Sequence, residues 1–185
     1  MKSTAPRTKP SDERRTDLLD AAEELVQNQG AERFTVEDVT TGAGVAKGTF
    51  YLHFTSKGDL LDALRDRYVR RFAEVQLSAA RVEGGVAGVR AWMRAGVTEY
   101  LRDVRLHDVL FHPSTRGERD TPNTVVDTFA EFLASLDSPP ADPETTALIL
   151  YSAMHGVTEH IVHTPGTGDR LLAGLDRLVV SVLEV

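Results

Sequence analysis

Cysteine is absent from this sequence of 185 residues, which excludes a disulfide framework, a thiolate zinc site and a cysteine nucleophile. Long hydrophobic runs are missing as well. The longest uncharged, fairly apolar stretch, Thr145 to Thr158, contains Ser152 and His155 and falls short of the roughly 18 residues that a spanning helix needs. No membrane span is therefore expected. The opening residues carry Lys2, Arg7 and Lys9 with no apolar stretch behind them, so a secretory signal is not expected either, and the cytoplasm is the expected location. Alternating strand patterns and internal repeats are lacking. So are a phosphate-cradling glycine loop and a nucleophile constellation, which leaves no catalytic residue and no cofactor to nominate.

What is present is ordinary globular material: 41% hydrophobic and 26% charged residues, enough apolar surface for most of the chain to fold. The formal net charge of −7 at first argues against a polyanionic partner, since nonspecific affinity for nucleic acid comes from Lys and Arg on phosphate. The distribution softens that objection. Residues 1–57 hold 8 basic and 9 acidic side chains, and the remaining 13 basic and 19 acidic side chains follow later. Within the first stretch the acids gather in Asp12 to Glu24, while Thr40 to Gly58 carries bases only.

Apolar residues at helical spacing, punctuated by glycine and proline, predict about nine helices and an all-α fold. Leu18, Leu19, Ala22, Leu25 and Val26 mark a first helix over 12–29 that ends at Gly30. Thr35 with Asp38 forms a capping-box variant, and Phe34 with Val39 occupies the two positions of a hydrophobic staple, so a short second helix starts here. Gly42-Ala43-Gly44 stops it within about two turns. Val45 to Leu52 is expected as a third helix. Ser56 and Asp59 then cap a long fourth helix, striped by Leu61, Leu64, Tyr68, Phe72 and Val75 and running to about Ala80. Glu83-Gly84-Gly85 breaks the chain before a fifth helix carrying Val89, Met93, Val97, Tyr100 and Val104, and a short sixth spans 106–111. An exposed loop is expected over 112–123, a helix over 124–136 and a proline-rich break over 138–143. Leu150, Met154, Val157 and Ile161 stripe the eighth helix, and Leu171, Leu175, Leu178 and Val182 the ninth.

Two short helices joined by a glycine turn, with a supporting helix before and a long one behind, make a helix-turn-helix arrangement. Val36, Val39, Ala43, Val45, Phe50 and Phe54 are the expected small core. Lys47, Thr49, Tyr51 and His53 fall between them, cations and hydroxyl donors of the kind that sit on phosphates and read base edges. The run Thr35-Val36-Glu37-Asp38-Val39, Ala43-Gly44-Val45, Lys47-Gly48-Thr49, Tyr51, His53-Phe54 and Ser56-Lys57, followed by Leu60-Leu61, resembles the N-terminal signature of TetR-family regulators. The resemblance covers about the first third of the chain.

That resemblance implies an N-terminal three-helix DNA-binding domain over 1–57 and a C-terminal helical bundle over 58–185 for ligand binding and dimerisation. It places Thr35, Ala46, Lys47, Gly48, Thr49, Tyr51, His53 and Lys57 at a double-stranded operator, Thr35 on phosphate and His53 and Lys57 on the backbone. Ala46 departs from the family where a capping serine is frequent, Thr40 where alanine packs, and Gly58 where an acid or alanine is typical. The implied activity is that of a ligand-responsive regulator, a repressor rather than an enzyme, that pairs through its eighth and ninth helices and is released by a small-molecule effector. An aromatic pocket suits such an effector, and Trp92, Tyr100, Phe111, Phe129, Met154 and His155 are its candidates, although helical spacing equally makes them core. His155, Glu159 and His163 share an arc of a helix, within reach of one metal ion. The spacing matches neither H-E-x-x-H nor H-x-x-E-H, so no metal site is assigned. A small metal-dependent helical enzyme, or a DNA-binding regulator answering to a protein partner, is the alternative.

Overall fold

The computed structural model describes residues 10–111 and 123–183. All regular structure among them is helical: α1 (Ser11–Gln29), α2 (Val36–Gly42), α3 (Lys47–Phe50), α4 (Lys57–Glu83), α5 (Gly85–Arg102), α6 (Val104–Phe111), α7 (Thr124–Ala134), α8 (Pro143–His163) and α9 (Gly168–Leu183). Most of the expected loop over 112–123 lies outside the described residues. No described helix is long and apolar enough to cross a membrane.

The helices fall into two compact units. The first holds α1 to α3, the start of α4 up to Arg67, and nearly all of α6 from Arg105. Asp12 and Glu13 open α1 with negative charge at its positive dipole end, and Leu18, Leu19, Ala22 and Val26 are its buried stripe. Gly30 ends it at φ 84°, a backbone state that disfavours a side chain. α2 crosses α1 closely: a β-carbon on Gly42 would come within 3.2 Å of Ala21 Cβ. Arg67 on α4 ties back to Asp20 and Glu23 of α1, both at 2.6 Å. Arg105 of α6 donates to the carbonyls of Gln27 and Asn28, each at 3.2 Å. It thereby serves acceptors that the last turn of α1 leaves open.

The second unit holds α4 from Tyr68, with α5, α7, α8 and α9. α8 packs on α5, α7 and α9, and α5 also on α9. Two glycines of α5 permit the tightest approaches, because a β-carbon at Gly88 would overlap the Ala80 carbonyl and one at Gly96 would overlap Met154 Sδ and Gln76 Nε2. Trp92 and Phe129 stack with centroids 3.8 Å apart in the middle of this core. Asp142 caps α8 through the amide of Thr145 at 3.0 Å, and Pro143 supplies the first helical residue, where its missing N–H costs nothing.

The largest departure from expectation is α3. The spacing predicts a helix over 45–52, whereas the observed helix covers only Lys47–Phe50. Val45 belongs to the preceding turn, its amide bonded to the Thr40 carbonyl at 2.9 Å. Ala46, at the N-cap, offers no side-chain acceptor. At the other end Leu52 and His53 donate three residues back, to Thr49 and Phe50 at 3.2 and 2.9 Å, the tighter winding typical of a helix end. α4 runs past Ala80 to Glu83, and α6 begins at Val104 rather than Leu106.

Candidate nucleic-acid interface

α2 is fixed at its start by reciprocal capping. The Thr35 amide donates to Asp38 Oδ2 at 2.7 Å, the Thr35 hydroxyl to the same oxygen at 2.8 Å, and the Asp38 amide to Thr35 Oγ1 at 3.3 Å. The Thr35 amide, then its hydroxyl, hold the Asp38 carboxyl below the usual range. Both donors of Thr35 are thus engaged within the protein. Phe34 and Val39 are buried on either side of this cap, as a staple requires.

Gly44, at φ 65°, reverses the chain between α2 and α3. Thr40, which stands where the family favours alanine, is buried and bonds the Glu37 carbonyl at 3.1 Å. α3 is held from behind by Phe50, fully buried, and Phe54, with ring centroids 5.6 Å apart. Arg15 lies 5.1 Å over the Phe54 ring. The turn after α3 continues through Tyr51, Leu52 and His53 to Phe54.

The opposite face is open. Ala46, Lys47 and Gly48 are exposed, Thr49 and His53 half-buried, and Tyr51 is 55% exposed although its ring edge meets Phe50 at 5.3 Å. Among the described residues the polar ends of Lys47, Thr49 and Tyr51 have no bonded partner, so one short segment offers an ammonium and two hydroxyls to whatever lies outside. Gly48 has an ordinary φ, and a β-carbon there would meet nothing within 4 Å. Nothing inside the protein asks for glycine at this position.

Lys57 differs from the other candidates. Its ammonium donates to the carbonyls of Phe34 and Glu32 at 2.5 and 3.3 Å and stands 4.1 Å from the centroid of the Phe34 ring. The sequence alone missed this, because the partners are backbone atoms 23 and 25 residues earlier. The cap of α4 is also shared: Ser56 Oγ accepts from the Asp59 amide at 3.1 Å, while Asp59 reaches back to the Thr55 amide at 2.8 Å.

Residues 18–64 match the family model described as bacterial regulatory proteins, tetR family. Over this region the chain is similar to the TetR family. Its likeness to EthR of Mycolicibacterium smegmatis is 28% identity over 125 residues, 68% of this chain and 54% of that protein. TtgR of Pseudomonas putida is 39% identical over 54 residues, 29% of this chain and 26% of that protein. The chain thus spans between about a quarter and about half the length of the curated relatives it matches. A TetR-family regulator from Streptomyces coelicolor shares the fold at a TM-score of 0.71 and 20% identity, over 95% of this chain and 98% of that one.

In the second unit, Trp92, Tyr100, Phe129 and Met154 are buried and His155 is half-buried. The Phe111 side chain lies outside the described ones. Two clefts of about 560 and 550 Å³ open on this unit. Arg81, Thr128 and Glu131 are among the residues lining the first, and Val75, Val82 and Ala91 among those lining the second. None of the pocket candidates lines either. Near them, however, Gln76 Oε1 and Trp92 Nε1 are buried without a hydrogen-bond partner, and Gln76 was not foreseen. Glu159 accepts from the Tyr100 hydroxyl at 2.9 Å and meets His163 Nε2 at 3.3 Å. No group of three His, Cys, Asp or Glu among the described residues is placed to hold a metal ion.

Proposed function

We propose that this chain is a dimeric, effector-responsive regulator of transcription that grips an operator through α3 and is released from it by a small molecule. The observation that carries this reading is the outward set Lys47, Gly48, Thr49 and Tyr51. Uncommitted donors stand beside a glycine whose missing side chain leaves room only for something outside the protein. A DNA groove fits both features, since base edges and phosphates take Lys, Thr and Tyr donors and demand close backbone approach. Residues 1–57 form the reading module in this account and 58–185 the sensing and pairing module.

Pairing through α8 and α9 is supported by Leu148 and Ile149, each 53% exposed, beside exposed Ser152 and Gly156 on the same helix. A symmetric pair presents two reading heads about one helical turn of DNA apart, roughly 34 to 36 Å, on a pseudo-palindromic site. The effector site is placed near Trp92 and Gln76, where unpaired buried polar atoms give a ligand groups to satisfy. Release follows from a preference of the effector for the non-binding state, and the ligand shifts DNA affinity only by that preference. Such a regulator works in the cytoplasm.

Selection of duplexes from genomic fragments at fixed salt, followed by titration, tests the reading. Lys47→Ala and Tyr51→Ala should each weaken binding by about tenfold or more while leaving the helical spectrum unchanged, as removal of one or two good hydrogen bonds implies. Unaltered affinity in both variants would refute it.

A further inference from the structure

The family resemblance treats Lys47 and Lys57 alike, as lysines at the DNA, but the structure separates them. Lys47 is exposed, with no partner among the described residues. Lys57, the first residue of α4, turns inward instead. Its ammonium donates to Phe34 O and Glu32 O and covers the face of the Phe34 ring, and that ring is itself buried. Three interactions of two kinds, two charge-assisted hydrogen bonds and a cation over an aromatic face, converge on one group. Burial lowers the Lys57 pKa, with the carboxylates of Glu32 and Asp38 opposing the shift.

The segment it grips matters. Residues 30–35 carry the chain from the end of α1 to the cap of α2, and no helix includes them. Their backbone carbonyls need partners from elsewhere. Phe34 precedes the capping residue Thr35, so its placement sets where α2 begins. α3 follows α2 across a single tight turn. A group that holds Phe34 therefore also sets the direction of α3.

We propose that Lys57 is a positioning residue, which pins the first turn of α4 to the segment before α2 and supports DNA binding by orienting the reading helices rather than by contacting phosphate. This rests on the DNA-binding reading above. Lys47 is the phosphate-contacting lysine in this arrangement.

Two measurements test it. In the free protein, a double-mutant cycle in Lys57→Met and Phe34→Leu should be non-additive in melting temperature, because both substitutions remove the contact between the ammonium and the Phe34 ring, while Phe34→Leu leaves the two backbone acceptors in place. Strict additivity would overturn the grip of Lys57 on the Phe34 ring, and with it the proposed positioning of Phe34, whether or not a DNA site is known. On a selected duplex, every phosphate deprived of its cation lowers the slope of log affinity against log salt by about 0.9. Lys47→Met should lower it by about that much per protomer. Lys57→Met should keep the wild-type slope and bind about three- to tenfold more weakly at every salt, well below its melting temperature, as expected when hydrogen bonds are removed at one remove from the DNA. A drop in slope for Lys57→Met equal to that for Lys47→Met would assign Lys57 to phosphate and overturn the proposal. Failure of the wild-type protein to bind any duplex would sink the DNA reading instead, leaving the free-protein cycle to decide the anchor.

Discussion

Two helices, α5 of the second unit and α3 of the first, treat glycine in opposite ways. In α5, Gly88 and Gly96 are required by the protein's own packing, because a β-carbon would run into the Ala80 carbonyl at one and into Met154 and Gln76 at the other. In α3, Gly48 faces open space yet bears the usual helical penalty of glycine, about 0.5 to 1 kcal/mol relative to alanine. Polar groups in and beside them differ in the same sense. Lys47 and Tyr51 point outward, whereas Gln76 and the Trp92 indole are sealed inside. α3 leaves its polar groups to the outside and α5 packs around the interior of its unit, and substitutions in each should show it.

The largest effect is expected at Trp92. Removing its ring from the stack on Phe129 should cost about 3 to 5 kcal/mol, the range for deleting a buried aromatic, so Trp92→Ala should melt far below the parent in a denaturant titration. A variant that keeps parental stability would mean that the second unit is not organised around this pair. Gly88→Ala comes next, at about 1 to 3 kcal/mol for overpacking against a backbone atom that has nowhere to go. In the first unit Thr35→Ala should remove one cap of α2 and cost about 1 kcal/mol, read as a lower midpoint with an unchanged denaturant slope.

The smallest effect is that of pH, and it should appear in both units alike. The Thr35 amide holds the Asp38 carboxyl below its usual range, and the Thr145 hydroxyl does the same for Asp142. A carboxyl whose folded pKa is depressed stabilises fully above its unfolded value, about 3.9, and loses that contribution as pH falls through the folded value. Melting temperature should therefore stay level from pH 7 to 5 on account of these caps and drop only below about 4. Asp38→Asn and Asp142→Asn should each flatten part of that acid drop.

Local features were the legible ones. The Thr35–Asp38 box, the Gly42-Ala43-Gly44 stop and the Gly84-Gly85 break all depend on residues within a few positions of each other, and the observed caps and positive φ values follow them. α3 is shorter than expected because a spacing of Val45, Phe50 and Phe54 describes which residues are buried, not where hydrogen bonding starts, and Ala46 supplies no cap. The contacts of Lys57 were hidden for a different reason: its acceptors are carbonyls 23 and 25 residues earlier, and carbonyls carry no sequence signature. Arg105 was hidden in the same way, since it serves the end of α1 from about 77 residues away. Gln76 went unnoticed because a single polar residue on a striped helix does not reveal that it faces inward. What the sequence identified in the second unit was its aromatic content, and only tertiary packing turned most of that content into core.

Gly48→Ala is the most direct measurement, with thermal stability and affinity for a selected duplex read on the same preparation. The account requires stability equal to the parent or higher by up to about 1 kcal/mol, since alanine relieves the helix penalty and meets no atom of the protein, together with DNA binding weakened at least about tenfold because the new methyl group stands where the duplex approaches. A variant that binds the duplex as tightly as the parent would show that the exposed side of α3 is not the surface that meets DNA.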